Sequence, residues 1–493
     1  MKKNIVFKIS ISIVLLFVII GLYSPDLLDT ISLFLHIQII SNFGWIYHLA
    51  AFFFLVFCII LAFGRYGKIR LGKDDEKPQY SYFGWFSMLF AAGMGIGLIF
   101  WGVAEPLSHY LNPPAHMSPR SGESAAFAMR YSFFHWGLQP WAVYIVMSLA
   151  LAYFTYRRNM PPLISSCFYP LLGDRIYSTP GHIINILSVI ATVFGVATSL
   201  GLGALQIGSG LQLLYGIPDS VQYTIIIIAV VTVLYLLSSF IGLDKGIQTL
   251  SKFNMYVALG FLVVMLVVGP TSYIFNVFIS SLGQYINQIL EMSLQTFPFQ
   301  GYEWSESWTL FYWAWWIAWA PFVGLFVARI SRGRTIKEFV IGTLLAPTLL
   351  TFLWFSAFGG TALYLEIQQK AGFAEGAVAD VSTALFRMLD YFPFSSALSL
   401  IAVILLLIFF VTSADSATFV LGMMTSNGDL NPPSSKKIAW GLTQSTLAGV
   451  LLISGGLIAL QRMAIAAALP FTIIMILMCY NLMRGLAEED KYR

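Results

Sequence analysis

Charge is scarce in this sequence. Only 10% of its 493 residues are Asp, Glu, Lys or Arg, against about 25% in soluble domains. So few charges cannot dress the surface of a water-soluble fold of this length. Cysteine is nearly missing as well. Cys58, Cys167 and Cys479 form no CxxC pair and no metal-ligand spacing, which excludes a disulfide scaffold and a zinc module. Cys58 and Cys479 fall inside apolar runs and read as small buried hydrophobes. The 6 His are scattered, with no HExxH, no paired acids at a membrane face and no nucleophile elbow, so an enzyme is not expected. The roughly 10-residue alternating segments of a transmembrane β-barrel are also missing.

Apolar sequence is abundant: 58% of residues are hydrophobic and the mean hydropathy is +0.78. Runs such as Ile225–Leu237, Val257–Val268 and Leu398–Val411, with their flanks, reach the roughly 20 residues that cross about 30 Å of hydrocarbon. The expected fold is an all-α membrane protein. Twelve spans are expected, near 6–23, 45–64, 83–104, 127–155, 181–214, 222–242, 253–275, 308–328, 338–365, 395–424, 437–459 and 463–484. Assigning loops to alternating sides places 22 of the 27 Lys and Arg on one side, leaving Arg120, Arg130, Lys370, Arg387 and Arg462 on the other. This asymmetry puts both termini in the cytoplasm and accounts for the net charge of +4 without a nucleic-acid partner. Lys2 and Lys3 before an apolar run mimic a signal peptide, but SPDLLD follows instead of a small-x-small site, so the run reads as an uncleaved first helix. Within 279–297, Leu282, Ile286, Ile289, Leu290 and Leu294 recur at helical spacing among polar residues, which predicts an amphipathic helix at the outer interface.

Two spans carry signs of interruption. The third reads FAAGMGIGLIFWGVAEP, with Gly93, Gly95 and Gly97 alternating. Such a run either packs closely against another helix or unwinds and turns its carbonyls to a cavity, the setting in which non-helical backbone survives at membrane depth. The eighth holds Pro321, which removes a backbone donor and favours a kink. Interruptions five spans apart are the pattern of inverted-repeat transporters. The expected organisation is then two extra helices and a cytoplasmic loop (1–80), a first repeat (81–278), an interfacial helix and loop (279–306), a second repeat (307–485) and a short tail (486–493). The tenth span carries TSADS, with Thr412, Ser413 and the intramembrane acid Asp415, a functional candidate by default. Hydroxyl and carbonyl oxygens at a helix break suit a small hard cation such as Na⁺. Hydroxyls bonding back to their own helix are the plainer alternative.

Aromatics are the most pointed feature. Five of the 13 Trp lie between 308 and 319, in WTLFYWAWWIAW. Enrichment of Trp at membrane interfaces accounts for Trp308 and for Trp313 near the outer end. It does not account for Trp315, Trp316 and Trp319, which run deeper. The fourth span adds Trp136, Trp141 and Tyr144 around Pro140. Rings from two helices suit a quaternary ammonium, which has no N–H to donate and is held by aromatic faces at about 2 kcal/mol or more when desolvated. No Asp or Glu lies within either aromatic stretch, so a zwitterion carrying its own carboxylate is expected, with that carboxylate facing the Gly93–Met94–Gly95 backbone and Gly97 or a half-helix N-terminus.

WTLFYWAWWIAWAPFVG followed by ARISRGRTIKEF, together with GMGIGLIFWGVAEPLSHY, FHWGLQPWAVY and TSADS in order, closely resembles the signature of the betaine/choline/carnitine transporter family. The resemblance covers nearly the whole chain. It implies a sodium-coupled symporter with inverted repeats, in a bacterial inner (plasma) membrane, usually a homotrimer, and no cofactor beyond Na⁺ as coupling ion. It implies a substrate cage of Trp136, Trp141, Tyr144, Trp315, Trp316 and Trp319. The implied main sodium ligands are the carbonyls of Ala91 and Met94 with the hydroxyls of Thr412 and Ser413. A second sodium site in relatives maps to Thr192, Val196 and Phe322, with Asn254 as a helper; Val196 lacks the hydroxyl, which weakens this site. Choline carriers often have Asp where this chain has Gly97, a counter-charge for a substrate that lacks its own, which favours glycine betaine; choline or another methylated zwitterion such as dimethylsulfoniopropionate is the alternative substrate, and proton coupling the alternative drive. The ending LAEEDKYR implies no strong tail-based osmotic gating.

These readings lead to alternating access around a midplane site, with Arg329 and Asp415 expected to pair at an inner gate in the outward-facing state. A channel is the rival class; a pore has no need of an aromatic cage.

Overall fold

Hydrocarbon supplies no hydrogen-bond partner, so a chain this apolar must satisfy its backbone within each crossing segment, and helices do so. The computed structural model describes residues 4–93, 95–218, 220–241, 244–299 and 302–490. Among them there is no β-strand, only an isolated bridge between Arg70 and Thr335. Ten described helices are long and apolar enough to cross a membrane. The protein is an all-α membrane protein.

α1 (Ile5–Tyr23) and α2 (Pro25–Phe63) meet at Ser24. Pro25 opens α2, where its missing N–H costs nothing. The span expected at 45–64 is only the second half of this 39-residue helix. Hydropathy missed the first half because Asp26, Asp29, His36 and Gln38 dilute the apolar signal without disturbing helical bonding.

The third span is divided. α3 (Tyr82–Gly93) and α4 (Ile96–Leu111) are separated at Gly95, whose φ of −145° and ψ of −152° are extended. Ile96 and Gly97 already belong to α4; Met94 lies outside the described residues. The fourth span is divided too, which the sequence did not suggest. α5 (Gly122–Trp136) ends at Gly137, with φ −96° and ψ −130°, and α6 (Leu138–Ala152) begins after it. Pro140 sits in the first turn of α6, where a proline is tolerated, so the chain bends before Pro140 and not at it.

α7 (Thr179–Tyr215), α8 (Val221–Ile241) and α9 (Asp244–Val268) follow. The span expected at 253–275 stops at Val268, because Gly269 and Pro270 break the helix. α10 (Thr271–Leu294) is therefore longer than the amphipathic segment expected from residue 279. Its inward side is partly polar: Tyr285 donates to Gln139 Oε1 at 3.0 Å, and Gln139 Nε2 donates to Ser293 at 3.1 Å. Ile279, Ile286 and Leu290 point outward and are exposed.

α11 (Phe311–Ile330) is entered through a π-helical turn, Glu306–Leu310, a distortion common at functional sites. Contrary to expectation, Pro321 does not interrupt α11, which runs through it as one helix. α12 (Ile336–Ile367) and α13 (Ser395–Met424) are continuous as well. α14 (Ser434–Asp490) contains a break at Gly455 and Gly456, a few residues before the boundary expected at 459–463. Gly456 has a φ of +61°, a conformation that costs most other residues energy. Just beyond, Arg462 Nη1 pairs with Asp29 Oδ1 of α2 at 3.0 Å.

The Trp-rich α11 packs against α6, α7 and α14, while α4 packs against α5 and α12. α11 is thus enclosed by protein on several sides, which buries its indoles.

Candidate functional site

The divided spans place aromatic residues from α5, α6 and α11 against each other. Trp136, the last residue of α5, meets Trp316 edge to face, with ring centroids 4.9 Å apart at 80°. It meets Trp315 at 6.2 Å and 88°. Trp315 and Trp316 are stacked, at 5.0 Å and 16°. Tyr144 stands at 83° to Trp316 and contacts Trp141. All five rings are buried. Such edge-to-face pairs are favourable beyond the area they bury. Trp319, the sixth expected ring, is only half-buried and contacts Phe322 instead, at 5.2 Å.

Four of these indoles, Trp136, Trp315, Trp316 and Trp319, are fixed by their N–H groups. Trp136 donates to Glu105 Oε2 at 2.8 Å and Trp316 to the His135 carbonyl at 3.0 Å. Trp315 donates to Ser199 at 3.2 Å, and Trp319 to the Gly195 carbonyl at 2.8 Å. A buried N–H without a partner is costly, so these bonds set the planes of the rings. Gly97 determines how near α4 approaches: a Cβ there would lie 2.6 Å from Trp315 and 2.9 Å from Trp136. Only a residue without a side chain fits between the two indoles.

The expectation that no acid stands near the aromatic residues is corrected here. Glu105 arrives from α4, a helix that the reading by stretches kept separate, and is completely buried. Its Oε2 accepts from Trp136 and, at 2.5 Å, from Tyr312. Its Oε1 lies 2.7 Å from His135 Nδ1 and 3.3 Å from His109 Nε2. His135 Nε2 in turn lies 3.0 Å from the Thr309 hydroxyl. The signal was present in the sequence, since Glu105 and His109 stand four residues apart in an apolar span and intramembrane ionisable groups are functional candidates by default. Glu105, His109 and His135 have the side chains of a metal site, with ligand atoms within 4.8 Å of each other. The hydrogen bonds already made to the carboxylate fit its role as an acceptor of protein donors better.

Trp308 and Trp313 differ from the interfacial reading. Trp313 is fully buried and packs edge to face on Phe134 at 5.0 Å. Trp308 is half-buried against His109 and Trp101.

Of the expected sodium ligands, Ala91 lies in the last turn of α3 and Met94 lies outside the described residues. The Thr412 hydroxyl donates to the Ile408 carbonyl at 2.8 Å, within α13, and Ser413 is half-buried beside it. Thr192 is buried on α7 and donates to the Ser188 carbonyl at 2.8 Å, and Phe322 lies on the adjacent α11. Asn254 does not join them: its side chain donates to the Leu405 carbonyl of α13 at 3.5 Å. Arg329 is exposed at the end of α11, Asp415 is buried in α13, and no described ion pair joins them.

Comparison with known proteins finds relatives along the whole sequence. A family model described as "BCCT, betaine/carnitine/choline family transporter" matches residues 5–491. "Glycine betaine transporter OpuD" of Bacillus subtilis (strain 168) is 51% identical over 495 residues, covering 100% of this chain and 96% of the relative. A "Probable glycine betaine transporter" of Desulfitobacterium hafniense (strain Y51) is 45% identical, covering 99% and 98%. An "Ectoine/hydroxyectoine transporter" of Virgibacillus pantothenticus is 43% identical, covering 99% and 97%.

Proposed function

The chain belongs to the betaine/carnitine/choline transporter family; it is a multi-pass membrane transporter and not an enzyme, and from that premise we propose that it imports glycine betaine by sodium symport with alternating access. The observation that carries this reading is the wall of Trp136, Trp315, Trp316 and Tyr144, packed edge to face and stacked, with its three indoles held by bonded N–H groups. Such rings attract a methylated ammonium that polar side chains cannot bond. Two of the relatives bear glycine betaine in their names, which favours it over choline.

The ten long helices, the divided third span and the break in α14 support twelve crossings, and the one-sided distribution of Lys and Arg favours cytoplasmic termini. Spans 3–7 and 8–12 are then the inverted repeats, and the assembly is a homotrimer. Na⁺ binds the carbonyls of Ala91 and Met94 and the hydroxyls of Thr412 and Ser413, ordering the backbone that receives the substrate carboxylate. Each net charge carried inward then gains about 2.3 kcal/mol per 100 mV of membrane potential. Arg329 and Asp415 approach each other when the inner side closes.

A second reading has one observation behind it: the relative named as an ectoine and hydroxyectoine transporter. Uptake of labelled glycine betaine into proteoliposomes, with an inward Na⁺ gradient and then without one, tests the proposal. Concentrative uptake that needs Na⁺ and yields to unlabelled betaine before choline, dimethylsulfoniopropionate or ectoine supports it. Uptake that never exceeds equilibrium points to a channel. Preference for ectoine, or drive by a proton gradient alone, replaces the substrate or the ion.

A further inference from the structure

Burying an unpaired carboxylate is very costly, yet Glu105 is fully enclosed in the span that carries Gly97. Four side chains converge on it: Trp136 and Tyr312 on one oxygen, His135 and His109 on the other. The Trp136 indole can only donate. With each imidazole carrying its hydrogen on the nitrogen that faces the carboxylate, the other contacts donate as well, and an ionised carboxylate is fully solvated by protein. One of these donors belongs to the aromatic wall and another packs on it: Trp136 stands edge to face to Trp316, and Tyr312 stacks on Trp316 at 6.1 Å and 20°.

We propose that Glu105 is the positioning residue of the aromatic site, a buried negative charge that aims the Trp136 and Tyr312 rings and, through their N–H and O–H bonds, enriches the ring faces that hold a quaternary ammonium. A charged acceptor draws the N–H and O–H dipoles toward itself and leaves more electron density on the rings, which strengthens their attraction for a cation. Glu105 does not touch the substrate; it acts through the two rings. The inference rests on the reading of the substrate as a quaternary ammonium.

Glu105→Gln keeps the shape and an acceptor for Trp136 and Tyr312. Its amide donors can face His135 and His109 once those rings change tautomer. The expected result is a folded protein that binds glycine betaine about tenfold more weakly, with Glu105→Asp recovering part of the loss. Without substrate, the Raman marker of indole N–H bonding should weaken in Glu105→Gln, and this change should vanish in a Trp136→Phe background. Wild-type affinity in folded Glu105→Gln overturns the proposal. If that variant does not fold, Tyr312→Phe decides instead, since it keeps the ring and removes one donor, and unchanged affinity overturns the proposal. If the wild type binds no betaine, the substrate reading falls, and the substrate-free Raman comparison still decides whether Glu105 holds Trp136; an unaltered marker overturns that.

Discussion

Trp136 and Trp316, 180 positions apart in the chain, stand edge to face with centroids 4.9 Å apart. The contact needs two local events: the end of α5 at Gly137 and the burial of α11 among α6, α7 and α14. If this pair bounds the substrate site, Trp316→Leu should weaken glycine betaine binding at least tenfold, given about 2 kcal/mol for a desolvated cation–π contact. Trp308→Leu, which alters packing on His109 and Trp101, should leave affinity within about threefold. Titration of both purified variants checks this, and equal losses would count against the assignment.

Gly97 allows a steric test. Its absent Cβ would fall 2.6 Å from Trp315, so Gly97→Ala must displace an indole that is itself bonded to Ser199. Off-rotamer shifts in packed cores cost about 1–3 kcal/mol, and betaine affinity should fall roughly five- to a hundredfold. An alanine variant that binds like the wild type would show that these rings do not line the site.

Thr412→Ala should raise the Na⁺ concentration needed for half-maximal uptake while leaving the fold intact, because the hydroxyl bonds only within its own helix in this structure. A half-maximal concentration that does not move rejects Thr412 as a ligand. Charge counted per betaine in the same vesicles settles whether Val196 has removed the second ion: one charge agrees with its loss, two with its survival.

Two glycines should respond in opposite directions. Gly456, with φ +61° and ψ −145° at the break in α14, should lose about 1–3 kcal/mol on replacement by alanine. Gly260 lies inside α9 with open space where a Cβ would point, so alanine there should add about 0.5–1 kcal/mol by lowering the entropy of the unfolded chain. Thermal midpoints in detergent compare the two, and a shift of the same sign in both would refute the backbone argument.

Much of this protein could be read directly from its letters. The membrane class follows from too few charges and many apolar runs, since hydropathy sums over any stretch of sequence. The division of the third span follows from GMGIG, because glycines weaken helix locally. The grouping of Trp136, Trp141, Tyr144, Trp315 and Trp316 was legible from the density of aromatics on two spans. Other features depend on distance through space. Pro321 leaves α11 whole, for a helix enclosed by three others tolerates one missing bond. Gly137 divides the fourth span, and nothing beside it in sequence announces this. Trp313 turns inward and Trp319 pairs with Phe322, because neighbouring helices choose which side of α11 is covered. Asn254 reaches α13 instead of α7.

Sequence by itself determined that this chain lives in a bilayer, carries its aromatics at depth and loosens its backbone near Gly95, since these properties arise within a few consecutive turns. Only the tertiary structure decided that Glu105 stands behind Trp136 and Tyr312. A carboxylate buried in an apolar span must find its donors wherever the fold brings them, and here His109 of its own helix is joined by His135 and Trp136 of α5 and by Tyr312 of the distant α11.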